Sequence, residues 1–237
     1  MGVALSGRYT RCVLVCVLVR VFSDDLVMAR TVQNYYDEGM ARPRKFDEDR
    51  VIRAVCDEFW DKGYAATSLE DLLRVSGLGK GSLYGAFGDK RSLFLRVLRH
   101  YDDANLLSLR KRLESASRGA DLVREFVLGP ASDPTGAAAR RGCLLANSNA
   151  ELATSDPAVA AEARRSYDAI TAILTEALER ARREGDLAPD ADPAETARAA
   201  LVAQLGLLTL GRTGMAIGTL TAAAQSILAR LLRAPMP

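Results

Sequence analysis

From residue 46 onward, apolar residues recur at steps of three and four separated by polar positions, the spacing of amphipathic helices. Val51, Val55 and Phe59, with Ile52 alongside, predict a helix that Asp47 caps and Gly63 ends. Thr67-Ser68-Leu69-Glu70 reads as a capping box ahead of Leu69, Leu72 and Leu73, and so predicts a second helix over about 68–75. Ser76-Gly77-Leu78-Gly79 breaks it, with Gly77 suited to a left-handed turn. Lys80 to Phe87 then forms a short third helix that buries Leu83 and Phe87. Gly88-Asp89 ends that helix and caps a fourth, which carries Leu93, Val97, Leu98 and Tyr101 and runs to about Ser115.

Further along, Ser115 to Gly119 and Gly129 to Gly142 have linker composition. Asp156-Pro157 and Asp192-Pro193 each put an acidic cap before a proline at the first helical position, so long helices are predicted to start near 157 and 193. Tyr167, Ile170, Leu174, Leu178 and Ala181 mark the buried face of the first, and Ala197, Ala200, Leu201, Leu205 and Leu208 that of the second. A last helix carries Ile217, Leu220, Ala224, Ile227, Leu228 and Leu231. The fold class is therefore all-α. A three-helix helix-turn-helix module, homeodomain-like, occupies 44–92, and a second helical domain, expected on grounds given below to bind ligand and dimerise, occupies 93–237.

Residues 1–43 are set apart as an extension. Cys12 to Val19 is apolar and follows Arg8 and Arg11, like part of a signal peptide, but Val27-Met28-Ala29 matches a cleavage site poorly and the run is too short to span a bilayer. Met40-Ala41-Arg42-Pro43-Arg44-Lys45 reads as a natural beginning, so a start upstream of the true one is expected, with a disordered extension as the other reading and Met1, Met28 and Met40 all open as starts.

Composition narrows the function. The chain has 237 residues, 49% of them hydrophobic, with 32 basic against 30 acidic groups, which excludes disorder throughout and a uniformly basic nucleic-acid packer. The cationic excess is local, because residues 40–100 carry 12 basic and 9 acidic groups. One histidine and four scattered cysteines provide no metal site, so neither metal nor cofactor is expected. Reduced cysteines fit a cytoplasmic location without membrane attachment. Gly79-Lys80-Gly81-Ser82 lacks the glycine and hydroxyl spacing of a phosphate loop, and no nucleophile elbow or dinucleotide fingerprint supports an enzyme.

Three short helices joined by a glycine turn present the third to a major groove. Thr67-Ser68-Leu69, then Gly79-Lys80-Gly81-Ser82-Leu83-Tyr84-Gly85-Ala86-Phe87-Gly88-Asp89-Lys90 and Leu93-Phe94, resemble the DNA-binding signature of TetR/AcrR-type transcriptional regulators over about residues 44–95. The resemblance implies phosphate contacts at Thr67, Tyr84 and Lys90, a double-stranded operator and a homodimer. Gly85 and Ala86 stand where the family more often carries larger polar or aromatic residues. On the third helix Lys80, Gly81, Ser82 and Tyr84 offer no bidentate base reader, so specificity is expected to lean on Lys80, methyl contacts and DNA shape. Ser68, Arg44 and Lys45 complete the expected DNA-binding set, the last two as a basic arm.

In the second domain, the small residues Ala200, Ala203, Gly206, Ala223 and Ala224 suggest close approach to a second copy, and Leu207, Leu220, Ile227 and Leu231 extend that interface. Arg140-Arg141-Gly142-Cys143 through Leu152 resembles a segment of one subgroup, some of whose members respond to electrophiles or small organic acids. Cys143, Asn147, Glu151, Tyr167, Leu205 and Leu208 form the expected ligand site. Asn147 and Glu151 share a helical face that Asn149 does not. Cys143, at a helix N-terminus beside two arginines, is read either as a thiolate sensor or as a small core residue. The leading function is a repressor released by a small-molecule inducer. The alternatives are a regulator signalled by oxidation or alkylation of Cys143, and a helical small-molecule-binding protein without specific DNA recognition.

Overall fold

The computed structural model describes residues 46–232, which build ten α-helices and one 3₁₀ turn. The sequence readings for residues 1–43, and for Arg44 and Lys45, lie outside the described residues. Helix α1 (Glu48–Lys62) is capped by the Asp47 side chain and stops at Gly63, as its pattern predicts. Helix α2 (Leu69–Ser76) ends on Gly77 in the left-handed conformation, with φ of 69°, and α3 (Lys80–Phe87) follows after a short turn. The capping box is one residue later than predicted. Ser68 accepts from the Asp71 amide, and the Asp71 carboxylate accepts from the Ser68 amide. Thr67 turns inward instead, buried and donating to the Gly63 carbonyl at 2.6 Å. Serine at this position can face solvent while threonine fills the space below, which explains the one-residue shift.

The core of this module is built from Val51, Val55, Phe59, Leu72, Leu83 and Phe94, all essentially inaccessible to water. Each such side chain contributes about 1.5–3 kcal/mol by burial. Phe59 meets Phe94 edge to face at 4.9 Å between ring centroids. Phe94 belongs to α4 (Lys90–Ser115), whose 26 residues leave this module and continue alongside the next.

Then come α5 (Gly119–Leu128), a 3₁₀ turn (Gly129–Ala131), α6 (Ala137–Arg141), α7 (Leu144–Leu152), α8 (Pro157–Arg183), α9 (Pro193–Arg212) and α10 (Ile217–Leu231). The stretch read as a linker, 129–142, thus carries two short helical pieces among its turns. Asp156 and Asp192 cap α8 and α9 with proline at the first position, as predicted. Helix α8 packs against α4, α5, α7 and α9, and Leu174, Ala177, Leu178 and Ala181 are completely buried along it. From Asp47 onward the chain forms one compact unit.

Helix α5 begins where it touches α8, and only glycine fits there. A Cβ on Gly119 would lie 2.1 Å from the Ala177 carbonyl oxygen and 2.7 Å from the Ala181 nitrogen. Since the obstruction is backbone, Gly119→Ala is expected to destabilise the protein by about 1–3 kcal/mol, the range for overpacking. Urea unfolding measures this, and an unchanged midpoint would show that α5 can shift away.

Candidate nucleic-acid interface and ligand cavity

The α3 surface has the expected division. Leu83 and Phe87 are buried, Lys80, Gly81 and Ser82 are exposed, and Tyr84 is half-buried. Added Cβ atoms at Gly79, Gly81 and Gly85 would meet nothing within 4 Å, so close backbone approach by DNA is unobstructed on this side. Lys90 opens α4 with its ammonium 4.5 Å from the centroid of the Tyr64 ring. The hydroxyls of Thr67, expected to hold a phosphate, and of Ser68, in the expected DNA-binding set, are both engaged within the protein, Thr67 on Gly63 and Ser68 within the capping box.

A cavity of about 560 Å³ opens between the α1–α4 module and the helices that follow. Cys143, Tyr167, Leu205 and Leu208 line it, as expected. Asn147 and Glu151 do not, and both have other partners. Asn147 donates to the Arg141 carbonyl at 3.1 Å. Glu151 reaches into the helix-turn-helix module, where its carboxylate accepts from the amides of Tyr64 at 3.0 Å and Ala65 at 2.7 Å. Asn147 turns back onto the end of α6, and Glu151 reaches the α1–α2 loop, so neither lines the cavity.

Among the cavity residues that sequence reasoning missed are Trp60, Tyr101, Asn105 and Gln204. A signal existed for part of the set. Tyr101, Asn105, Ser108 and Arg112 fall at steps of four, three and four, a polar stripe along a helix otherwise read for its apolar face. Trp60 carried no such signal, because only the fold carries α1 to the cavity wall.

The Arg141 backbone and side chain join the two parts. Its guanidinium sits 4.2 Å from the centroid of the Trp60 indole and donates to Asp57 at 2.7 Å and Asp61 at 2.8 Å. Its carbonyl accepts from Trp60 Nε1 at 3.2 Å, from Asn147 and from Arg212 at 3.0 Å. Gly142, with φ of 71°, lets the chain turn directly into the cavity wall at Cys143, and a Cβ there would strike the Arg212 side chain at 2.9 Å. A second clamp lies nearby. Arg91 donates two hydrogen bonds to Asp156, at 2.6 and 2.8 Å, and holds that carboxyl below its ordinary range.

Cys143 is half-buried, and the Tyr101 hydroxyl donates to its sulfur at 3.7 Å. The two arginines expected beside it are engaged elsewhere, Arg140 on the Thr135 carbonyl and Arg141 on the α1 aspartates. Burial, and then the neighbouring Cys143, push Tyr101 far above the ordinary tyrosine range and push Tyr167 up to about 12, so both phenols stay protonated at neutral pH. Asp102 lies on the wall, where desolvation raises its pKa despite hydrogen bonds from Ser166 and Arg165.

Known proteins resemble this chain in sequence and fold. Residues 51–97 match the family described as bacterial regulatory proteins, tetR family, and residues 123–226 match the tetracyclin repressor-like C-terminal domain. The regulator YezE of Bacillus subtilis is 30% identical over 151 residues, covering 62% of this chain and 76% of that protein. The chain belongs to the TetR family of transcriptional regulators. The Escherichia coli repressor ComR is 27% identical over 162 residues, covering 65% of this regulator and 74% of its own length. A cysteine mutant of the TetR-family regulator CifR, solved with a 26-base-pair operator, is 30% identical; the match covers 80% of this chain and 98% of that one with a TM-score of 0.65. The protein is thus a helix-turn-helix, DNA-binding regulator of transcription. No helix among its described residues is long and apolar enough to cross a membrane.

The Glu151 bridge yields a local prediction. Two hydrogen bonds to a charged acceptor contribute about 1.5–3 kcal/mol each at most. Glu151→Ala is therefore expected to accelerate amide exchange at Tyr64 and Ala65 at least tenfold. Unchanged exchange at both amides, read by NMR, would mean that the loop is held without it.

Proposed function

We propose that the protein is a homodimeric repressor that leaves its operator when a small molecule occupies the cavity between the reading module and the helical domain. The observation that carries this reading is that one cavity is walled both by α1 of the DNA-reading module, through Trp60, and by the helices that follow. A ligand with unequal affinity for two arrangements of those walls shifts the DNA-binding equilibrium. The repressor ComR, as a relative, supports the sign of the effect. The cytosol, where its operator would lie, is the location this reading requires, and catalysis has no part in it.

At the DNA, Lys80, Gly81, Ser82 and Tyr84 approach the major groove, and Lys90 holds a phosphate near the start of α4. Thr67 and Ser68 act by shaping the N-terminus of α2, whose amides face the backbone. The direct test is fluorescence anisotropy on DNA from upstream of the regulator's own gene, against a scrambled duplex. Sequence-preferring binding that weakens steeply with salt is expected, and equal weak binding to that duplex and to genomic fragments would sink the regulator reading. Lys90→Ala is expected to weaken binding to all sequences alike and to lower the salt slope by about 1, and Tyr84→Phe to weaken it by a few fold without altering sequence preference.

The dimer surface differs from the one read in the sequence. Ala200, Leu207, Leu220 and Ala224 are buried inside the protomer, so they belong to its own core, while Ala203, Ile227 and Leu231 are half-buried at its edge. The outward face of α9 instead carries Val202 at 70% exposure and Leu210 at 42%, with Ala199 and Gly206 between turns. Exposed Ala222, Gln225 and Ala229 form the matching face of α10. An exposed apolar face on two neighbouring helices suits a two-fold partner, which a reader of paired half-sites also needs. Val202→Glu is expected to yield monomers by light scattering and to lower operator affinity at least tenfold; a stable dimer in that variant would move the interface elsewhere.

A second reading is favoured by the Tyr101–Cys143 contact inside the cavity. Cys143 adds to an electrophile such as an activated alkene, its sulfur bonding the β-carbon and the thiol proton passing to the α-carbon. Cys56 is the internal control, since burial and then Asp57 push it up to about 11. Mass spectrometry should find the adduct on Cys143 and not on Cys56, and Cys143→Ser should abolish operator release; a full response in that variant would discard this signal.

A further inference from the structure

We infer that the cavity selects an uncharged, ring-bearing molecule with a carbonyl or ether oxygen, seated against Trp60 and accepting a hydrogen bond from the Tyr167 hydroxyl. This rests on the cavity being the inducer site. Four aromatic rings from four helices, Trp60, Tyr101, Phe126 and Tyr167, contribute to its lining among aliphatic side chains. Such a surface favours a flat ring system, which can stack or meet ring edges at little entropic cost.

Charge is excluded by the pairing of every ionic group at the wall. Asp102 is held by Arg165 at 2.9 Å and by Ser166. Arg112 bonds Glu125 at 2.7 Å, and Arg141 is divided between Asp57 and Asp61. A ligand carboxylate or ammonium would either break one of these pairs or enter without a counter-ion, and desolvating an unpaired charge is far costlier than desolvating a ketone. Small organic acids are therefore poor candidates for this cavity.

The wall leaves the Tyr167 hydroxyl free for a neutral acceptor, as it does the Ser108 hydroxyl on α4. Tyr101 is engaged with Cys143, and the Gln204 amide donates to the Phe126 carbonyl at 3.1 Å. The Tyr167 side chain hydrogen-bonds no other described residue, while its own carbonyl takes the Thr171 hydroxyl. Its hydroxyl stays protonated across the physiological range, so it can only strengthen an acceptor and would repel no lone pair by ionising. The same ring system then touches Trp60, on the helix that positions the DNA reader.

The test is calorimetric titration of the full-length protein with four molecules that share one ring system: methyl naphthyl ketone, ethylnaphthalene, naphthoate and naphthylmethylammonium. The ketone is expected to bind about fivefold tighter than ethylnaphthalene, the size of one neutral hydrogen bond, and at least tenfold tighter than either ion. Tyr167→Phe should remove the fivefold advantage of the ketone and leave ethylnaphthalene unchanged, which a merely structural role for Tyr167 would not do. An ion binding as tightly as the ketone, a ketone advantage that survives in Tyr167→Phe, or no saturable binding of the ketone would each overturn the inference. The charge comparison needs no variant and so does not depend on Tyr167→Phe folding. Anisotropy on operator DNA with the same four molecules separates the two levels. A ketone that binds without releasing DNA sinks the inducer reading and leaves the ligand class standing, whereas release by an ion alone does the reverse.

Discussion

The packing of Arg141 on Trp60 fixes where the DNA-reading module lies against the rest of the regulator. The guanidinium covers the indole at 4.2 Å, two aspartates of α1 hold it there, and the indole nitrogen returns a hydrogen bond to the Arg141 carbonyl. The two ion pairs are individually weak, because Asp57 and Asp61 are more than half exposed and each such pair contributes only about 0–1 kcal/mol. Cation–π contact and the part-buried indole hydrogen bond add about 1 kcal/mol apiece. What makes the arrangement decisive is its place in the chain: Gly142 and Cys143 come next, and they are cavity wall. A displacement of that wall is a displacement of Arg141, and Trp60 and α1 are attached to it.

The other contacts between the two parts have the same character. Glu151 holds the amides of Tyr64 and Ala65, Arg91 holds Asp156, and α4 runs without a break from the module into the helical domain. All three start from elements that border the cavity or continue into it. Coupling of a few kcal/mol, the range observed for allosteric systems, requires no large motion when the sensing and reading walls are the same side chains. The clamp residues are polar and partly exposed, so they can be remade in a second arrangement, whereas the Phe59–Phe94 core beside them cannot.

Much of this was legible in the sequence because it depends on local chemistry. Asp47, Asp156 and Asp192 cap the helices assigned to them, Gly77 adopts its left-handed turn, and Leu174, Leu178 and Ala181 face the core, since caps and periodicity involve only neighbours within a turn or two. The capping box was misplaced by one residue because Thr67 and Ser68 are equally good caps by type, and only the space beneath Gly63 decides which turns inward. Ala200, Leu207, Leu220 and Ala224, expected at an interface, are buried inside the protomer for a related reason. A helix of small and apolar residues all round gives two faces of similar hydropathy, and periodicity cannot say which one the protomer keeps. Ala200 and Leu207 went inside, and Val202 was left outside. Glu151 was recognised as distinctive but assigned to the wrong neighbour, because its partners are backbone amides 86 and 87 residues away and have no signature in sequence. Trp60 was invisible as a cavity residue for the same reason.

If the Arg141–Trp60 contact unites reader and cavity, the two must unfold together. Trp60 is the only tryptophan in the chain, so its emission reports this junction, while far-UV circular dichroism reports helices that lie mostly beyond it. Both signals followed along one urea titration at fixed protein concentration are predicted to give coincident midpoints, a single cooperative transition. Loss of the native Trp60 emission at distinctly lower urea than loss of helix would show the reader detaching from an intact helical domain, and would contradict the account.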